Sequence, residues 1–337
     1  MDTPRTHGRA PLLNARRYAL PTTPKSGLGA SWCSVASART PRAVRPTGRP
    51  GRARVCRPTE AVGVGRYPAA VTIPAAAPLT VSTVNVNGVR AAVGKGLLPW
   101  LNETGADVVC LQETRADDAQ LHAALAPALT AGWHLSSAEP AVKGRNGVAV
   151  LSRTAPAAVR VGFGHPEFDD AGRYLEVDLV GVTIASLYLP SGETGTPRQE
   201  EKERFMAAFA EHLAGLVGRP ALVCGDWNIA HTPDDVKTWK TNQKSSGFLP
   251  EEREWLGGVL AAGWTDVQRR LQPDGPGPYT WWSYRGRAFD NDAGWRIDLH
   301  VASPGLAERA TSAVVERAAE HALRWSDHAP VTVVYGG

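Results

Sequence analysis

Residues 221–229 read ALVCGDWNI. The apolar run Ala221–Cys224 has the composition of a short buried strand. It stops at Gly225, and Asp226 and Asn228 follow at once. A carboxylate and a carboxamide are thereby expected at the C-terminal edge of a strand, where open α/β sheets gather their ligands. In extended chain, residues i and i+2 point the same way, so Asp226 and Asn228 are expected to face one substrate. Gly, Asp and Asn are also ordinary turn formers. The stretch alone therefore leaves a plain strand-and-turn open, and the chain around it decides.

Outward from this stretch the pattern recurs. Leu79–Val86 alternates and is β-branched, which predicts a strand; it runs into Asn85-Val86-Asn87-Gly88, two carboxamides at the same spacing. Asp107–Leu111 reads as a buried strand leading into Gln112-Glu113-Thr114. Gly147–Ser152 is another strand. Leu175–Val180 and Val182–Leu189 form a hairpin about Gly181, with Tyr188 near its end. Trp295-Arg296-Ile297-Asp298 enters a strand reaching Ala302, and Ser326-Asp327-His328-Ala329-Pro330 precedes a last strand, Val331–Tyr335. The run Tyr279–Tyr284 (YTWWSY) is read as a core strand. Helices are predicted from Leu97–Asn102, from Pro197–Val217 with Phe205, Phe209, Leu213 and Leu216 on one face, and from Leu249–Ala262. The last opens with Pro250 and the acidic pair Glu251-Glu252, as suits a helix N-terminus. Strands alternating with a few helices predict a single α/β sandwich over residues 79–337.

The 337 residues are 43% apolar, enough for a sizeable core. No uninterrupted apolar run approaches the ~18 residues of a membrane span. Cys33, Cys56, Cys110 and Cys224 show no metal-knuckle or CxxC spacing. Cys110 and Cys224 fall inside strand runs as small core residues, in keeping with a reducing cytoplasm. The formal charge of +4 divides into +11 over residues 1–78 and −7 over the rest. Residues 1–78 are rich in Arg, Pro, Ala, Thr and Gly without apolar periodicity, and are expected to be disordered. A basic DNA-binding arm, a targeting peptide and translation from a start codon placed too early all compete for this segment, and the last is preferred. An acidic body is unexpected for a nucleic-acid partner, whose phosphates are usually met by Lys and Arg. Clustered catalytic carboxylates with a divalent cation, or local basic patches, reconcile the two.

The polar residues at the ends of predicted strands are Asn85, Asn87, Glu113, Tyr188, Asp226, Asn228, Asp298, Asp327 and His328. Each alone has an ordinary reading as a turn or a solvated surface group. Together they are oxygen donors plus one imidazole, a set that suits Mg²⁺ or Mn²⁺ rather than zinc.

In order along residues 79–336, VNVNGVR, LQET, NGVAVLS, LYLPSG, GDWNI, FLPEEREWL, WRIDL and SDHAP resemble the motif series of the exonuclease III family of abasic-site endonucleases. That family lies within the endonuclease/exonuclease/phosphatase superfamily. The resemblance implies a DNase I-like four-layer α/β sandwich, two packed mixed sheets flanked by helices. It implies a Mg²⁺-dependent (or Mn²⁺-dependent) DNA-repair nuclease, a monomer acting on double-stranded DNA at abasic sites and 3′ ends. Glu113 matches the principal metal ligand, Asn85 and Asn87 the first-strand metal positions, and Asp327 a metal-site or proton-transfer aspartate. Asp226 matches the residue that activates water and Asn228 its hydrogen-bonding neighbour. Tyr188 faces the phosphate in the family, and His328 is the catalytic histidine with Asp298 as its orienting carboxylate. Trp281, Trp295 and Ile297 match the apolar pocket for a base-less sugar. The alternatives are a superfamily phosphatase or phosphodiesterase on another substrate, and an inactive binder of damaged DNA.

Overall fold

The computed structural model describes residues 78–337, residue 180 excepted. The expectations for the Arg/Pro/Ala-rich extension, with Cys33 and Cys56, lie outside the described residues. Among the described residues, twelve strands form two six-stranded sheets. The first contains β1 (Leu79–Asn85), β2 (Val108–Gln112), β3 (His134–Ala138), β4 (Val148–Ser152), β11 (Ala310–Val315) and β12 (Val331–Tyr335), ordered β11-β12-β1-β2-β4-β3. The second contains β5 (Ala158–Val161), β6 (Tyr174–Leu179), β7 (Val182–Tyr188), β8 (Ala221–Asp226), β9 (Thr265–Asp266) and β10 (Asp298–Ala302), ordered β5-β6-β7-β8-β10-β9. The helices are α1 (Val89–Val93), α2 (Leu97–Glu103), α3 (Asp118–Thr130), α4 (Pro197–Leu216), α5 (Trp239–Asn242), α6 (Pro250–Ala261), α7 (Val267–Leu271) and α8 (Pro304–Glu308).

Period-two alternation assigns the strand residues to layers. Val81, Val108, Cys110, Ile184, Leu222 and Cys224 meet in the layer between the sheets. There both cysteines are buried free thiols. Val84, Val109 and Leu111 turn outward onto Leu97, Leu101, Leu121 and Leu125 of α2 and α3. Leu187, Val223, Leu299 and Val301 turn outward onto Phe205, Phe209 and Leu213 of α4 and Leu256 of α6. The result is the four-layer sandwich expected, helices–sheet–sheet–helices.

The inner faces are apolar at one end and polar at the other. Continuing the inward alternation of β1, β2, β7, β8 and β10 leads to Asn85, Gln112, Tyr188, Asp226 and Asp298, all buried. Because β1 and β2 are parallel, and β7 and β8 are parallel, four of these ends share one edge of the sandwich. β10 runs antiparallel to β8 and places Asp298 opposite Asp226. β12 is antiparallel to β1, so Ser326–His328 arrive at the same edge from the N-terminal side of their strand. The site thus collects C-terminal ends of some strands and N-terminal ends of others.

Tyr279–Tyr284 does not form the expected strand. Its cross-strand pairing is confined to single bridges from Trp281 to Trp295 and to His328. Alternation is broken because Thr280 turns inward to the Asp298 carboxylate, 2.6 Å away. Tyr279 and Trp282 pack beside Phe289, Trp281 lies beside Trp295, and Tyr284 is exposed.

Candidate active site

Two copies of one backbone device build the centre. At the end of β1, Asn85 Oδ1 accepts the N–H of Asn87 at 2.9 Å; at the end of β8, Asp226 Oδ1 accepts the N–H of Asn228 at 2.9 Å. Asn87 and Asn228 have φ of 47° and 49°, so the chain leaves the strand through a left-handed residue and is not extended as the sequence reading assumed. Asn tolerates that region, and a side chain accepting the N–H two residues on favours the turn. Glu113 shares the conformation, at φ 48°. For a glutamate this is uncommon, costs on the order of 1–3 kcal/mol and persists only where its surroundings impose it. Here the flanking backbone imposes it, through Gly88 N to Glu113 O at 2.8 Å and Thr114 N to Gly147 O at 3.0 Å. Gly225 is required for a different reason: at φ 145° a Cβ would sit 2.0 Å from the Leu187 carbonyl of β7.

These turns bring the carboxylates together. Asn85 Nδ2 donates to Glu113 Oε1 and to Asp226 Oδ2, both at 2.9 Å, and so ties one sheet to the other. Asn87 Nδ2 donates to Asp327 Oδ1 at 2.8 Å, and Trp281 Nε1 to Asp327 Oδ2 at 3.1 Å. His328 Nδ1 lies 2.8 Å from Asp298 Oδ2, and its Nε2 faces Asp226 Oδ2 at 3.9 Å. Asn228 donates Nδ2 to the Leu189 carbonyl at 2.8 Å, which commits half of its amide to the wall.

Burial drives the electrostatics. Desolvation pushes the Asp226 carboxyl up to about 7; His328 pulls it down, and Asp298 and Glu113 add to the rise. Burial also works against a charged His328, but the Asp298 carboxylate and its hydrogen bond, then Asp226 and Asp327, outweigh it and hold the imidazolium up to about 10. Burial, then the charges of Glu113 and Asp226, keep the Tyr188 phenol well above its usual value. At neutral pH the site therefore offers a carboxylate near its titration point, a charged imidazole and a neutral phenol.

All nine strand-end residues expected from the sequence converge on this edge. A cleft of about 850 Å³ is lined by ten residues of the sequence set, Asn87, Glu113, Tyr188, Asp226, Asn228, Trp281, Trp295, Ile297, Asp327 and His328. The two indoles meet edge to face, centroids 6.3 Å apart, with Ile297 buried beside them. Sequence reasoning missed the groups that hold these residues. Arg115 Nε donates to Glu113 Oε2 at 2.9 Å. Thr280 bonds Asp298, and Ser326 Oγ donates to the Asn85 carbonyl at 2.6 Å. Thr280 and Ser326 lay inside motifs already singled out, but a small hydroxyl gives no signal of its own in sequence.

The family model described as endonuclease/exonuclease/phosphatase family matches residues 82–328. An exodeoxyribonuclease of Bacillus subtilis is 36% identical over 252 residues, 74% of this chain and 96% of its own length. The DNA repair nuclease APEX1 of Danio rerio is 34% identical over 261 residues, 77% of this chain and 82% of its own. Among solved structures, a 3′-5′ exonuclease from Neisseria meningitidis superposes with a TM-score of 0.71 at 30% identity, covering 77% of this chain and all of that one. An AP endonuclease from Archaeoglobus fulgidus gives 0.70 at 29%, covering 76% and 99%. The chain belongs to the endonuclease/exonuclease/phosphatase family, as a phosphodiester hydrolase. Within that family it falls in the exonuclease III group of abasic-site endonucleases.

Proposed function

We propose that this hydrolase is a DNA-repair nuclease that nicks duplex DNA 5′ to abasic sites, leaving a 3′-hydroxyl and a 5′-deoxyribose phosphate, and that removes 3′ blocking groups or nucleotides at the same centre. The observation that carries the reading is the buried Asp226 carboxylate facing His328, itself bonded to Asp298, at the mouth of a cleft lined by Trp281 and Trp295. The names of the relatives, an exodeoxyribonuclease and a DNA repair nuclease, support DNA as the substrate.

Phosphodiester hydrolysis needs an in-line water, stabilisation of charge on the phosphoryl oxygens, and help for the departing 3′ oxygen. Asp226, held by Asn85 and by the Asn228 N–H, accepts the proton of the attacking water. His328, charged and fixed through Nδ1 by Asp298, stabilises the negative charge that grows in the transition state. Tyr188 donates to the phosphate. The apolar face formed by Trp281, Trp295 and Ile297 accepts a bare sugar and excludes a base. An abasic nucleotide, without stacking to lose, leaves the duplex more cheaply than an intact one, by a few kcal/mol.

The donor set fits a hard divalent cation. Glu113 and Asp327 are anionic oxygen donors, with Asn85 and Asn87 orienting them, and Mg²⁺ or Mn²⁺ is the expected ion. Bound there, the ion would supply Lewis-acid neutralisation of the phosphoryl charge. Asp226, Asp298 and His328 also bring ligand-type atoms within 4.8 Å of one another. We read that trio as a proton relay instead, because His328 bridges the two carboxylates, with Nδ1 2.8 Å from Asp298 Oδ2 and Nε2 3.9 Å from Asp226 Oδ2. Every residue of this mechanism lies on one chain within residues 79–337. That supports this segment as the catalytic domain, and we further propose that the protein acts on DNA as a monomer in the bacterial cytoplasm.

The test is an incision assay on a labelled duplex carrying one abasic site, with Mg²⁺ and with EDTA, beside Asp226→Asn. A Mg²⁺-dependent nick at the lesion, lost in the variant, is expected. No nick from folded wild-type protein would overturn the reading and favour a phosphatase acting on phosphoinositides or an inert binder, which a phosphoinositide screen and abasic-duplex binding would separate.

A further inference from the structure

The motif FLPEEREWL has no part in the chemistry above, yet its second glutamate does more than open a helix. Glu252 is 1% exposed. It accepts from Gly247 N at 2.6 Å, Leu249 N at 3.1 Å, Ser246 Oγ at 3.0 Å and Gln199 Nε2 at 3.0 Å. Against it, 2.8 Å away, stands Lys202 of α4, which is wholly buried. Such a pair is weak ground for stability, because desolvating two charges offsets most of their attraction. Its second contact points to another role: Lys202 Nζ donates to the Asn228 backbone carbonyl at 2.9 Å.

Both ends of the pair lead to the cleft. Ser246 and Gly247, both bonded to Glu252, line it with Ser245 beside Asn228 and Trp295. Gly247 packs so closely that a Cβ would stand 3.1 Å from the Asn228 carbonyl and 3.2 Å from the Trp295 ring, and its φ of +91° is itself a glycine conformation. Its carbonyl accepts the N–H of Ala230 at 2.8 Å. Asn228 is therefore fixed from three sides: its N–H by Asp226, its side chain by Leu189, its carbonyl by Lys202. The N–H bond ties it to Asp226, whose carboxylate the mechanism uses.

We propose that Lys202 and Glu252 are a positioning pair, holding the Asn228 turn and the cleft wall beneath Trp295 in register with Asp226. The inference rests on the nuclease reading and deepens it, adding two residues that touch no substrate. Three variants of the full chain test it in the abasic-duplex assay: Lys202→Met, Lys202→Arg, and the neutral double variant Lys202→Met/Glu252→Gln. The double variant leaves no unpaired buried charge, and Gln199, whose Oε1 is without a partner, can turn to meet the new amide. The expected result for the two Met variants is a fall in kcat on the order of 10²-fold, the effect of a small misplacement, with KM for the duplex within about threefold of wild type. Lys202→Arg regains most of kcat. Where Lys202→Met fails to fold, the double variant decides. A folded double variant with wild-type kcat, or a loss falling on KM alone, overturns the proposal while wild-type incision leaves the nuclease reading standing. Absence of incision by wild-type protein overturns both.

Discussion

Asp298 shows how much of the site depends on one fully buried carboxylate. Its Oδ2 takes His328 Nδ1 at 2.8 Å and Thr280 Oγ1 at 2.6 Å, while Oδ1 has no hydrogen-bond partner. The charge opposes the burial of the imidazole and keeps it protonated well past neutrality. Asp298→Asn keeps the volume and removes the charge. We expect kcat to fall by roughly 10²-fold or more, in the range for a displaced general acid–base group. The sign of the pH effect follows: with its counter-charge gone, His328 gives up its proton at lower pH. The alkaline limb of the kcat profile, measured on the abasic duplex, should then move toward neutrality. An unchanged limb would mean that the limb reports another group. The pocket separates two roles of one side chain in the same way. Trp281 is a wall, and through Nε1 it is also a donor to Asp327. Trp281→Phe should lower kcat while preserving the preference for abasic over intact duplex. Trp295→Ala should lose much of that preference, and competition between the two duplexes measures both.

Along β10 the inward alternation runs Asp298, His300, Ala302, so a second histidine lies in the layer between the sheets. His300 is fully buried, with Nε2 3.0 Å from the Val331 carbonyl and Nδ1 3.3 Å from the Tyr335 hydroxyl of β12. Burial lowers it to about 4, against smaller raising effects from Val331 and Asp266. The unfolded chain binds that proton near the ordinary value of about 6.5. Stability from this group is therefore complete above about pH 6.5 and lost as pH falls toward 4, by up to about 3 kcal/mol. Urea unfolding between pH 7.5 and 4.5 should show the decline, and His300→Asn should flatten it. An equal slope in the variant would assign the decline to the carboxylates. The same strand shows what the sequence disclosed. The run from Trp295 to Ala302 was legible as a strand with Asp298 near its start, because its apolar stretch is short and bounded by polar residues. β3 and β5 (HLSSA and AVRV) are short edge strands that went unread, β3 for want of a period and β5 because its alternation turns Val159 and Val161 outward. α3 was hidden by Pro127 and by an apolar stripe of only Leu121, Leu125 and Ala128. The left-handed Glu113 could not be read at all, since its neighbours Gly88 and Gly147 in space impose it and glutamate itself does not favour it.

Over the whole molecule, a catalytic segment with net charge −7 has to hold a polyanion. The rim of the cleft shows how the charge is distributed. Arg115, Arg145, Arg173 and Arg198 line it together with Glu113, Glu167, Asp170 and Glu201. Arg115 is committed to Glu113, and Arg173 to the Tyr188 carbonyl and Glu201. Arg145 is exposed, and Arg198 makes only a loose 3.7 Å contact with Glu193, both partners 62% exposed. Those two guanidiniums are the cleft arginines least engaged within the protein, and therefore those best placed to meet phosphates. Neutralising a phosphate releases counterions, so each contact contributes about −0.9 to the slope of log affinity against log salt. With Asp226→Asn as the cleavage-blocked background, fluorescence anisotropy on an abasic duplex across a salt series gives the slope directly. Arg145→Ala and Arg198→Ala should each make it shallower by about 1 and weaken binding to abasic and intact duplex alike. A comparison of slopes between variants of the same full chain is insensitive to the +11 carried by residues 1–78, which all of them share. If neither substitution changes the slope, phosphate recognition lies outside this rim. If one of them weakens only the abasic duplex, that arginine reads the lesion instead of the backbone.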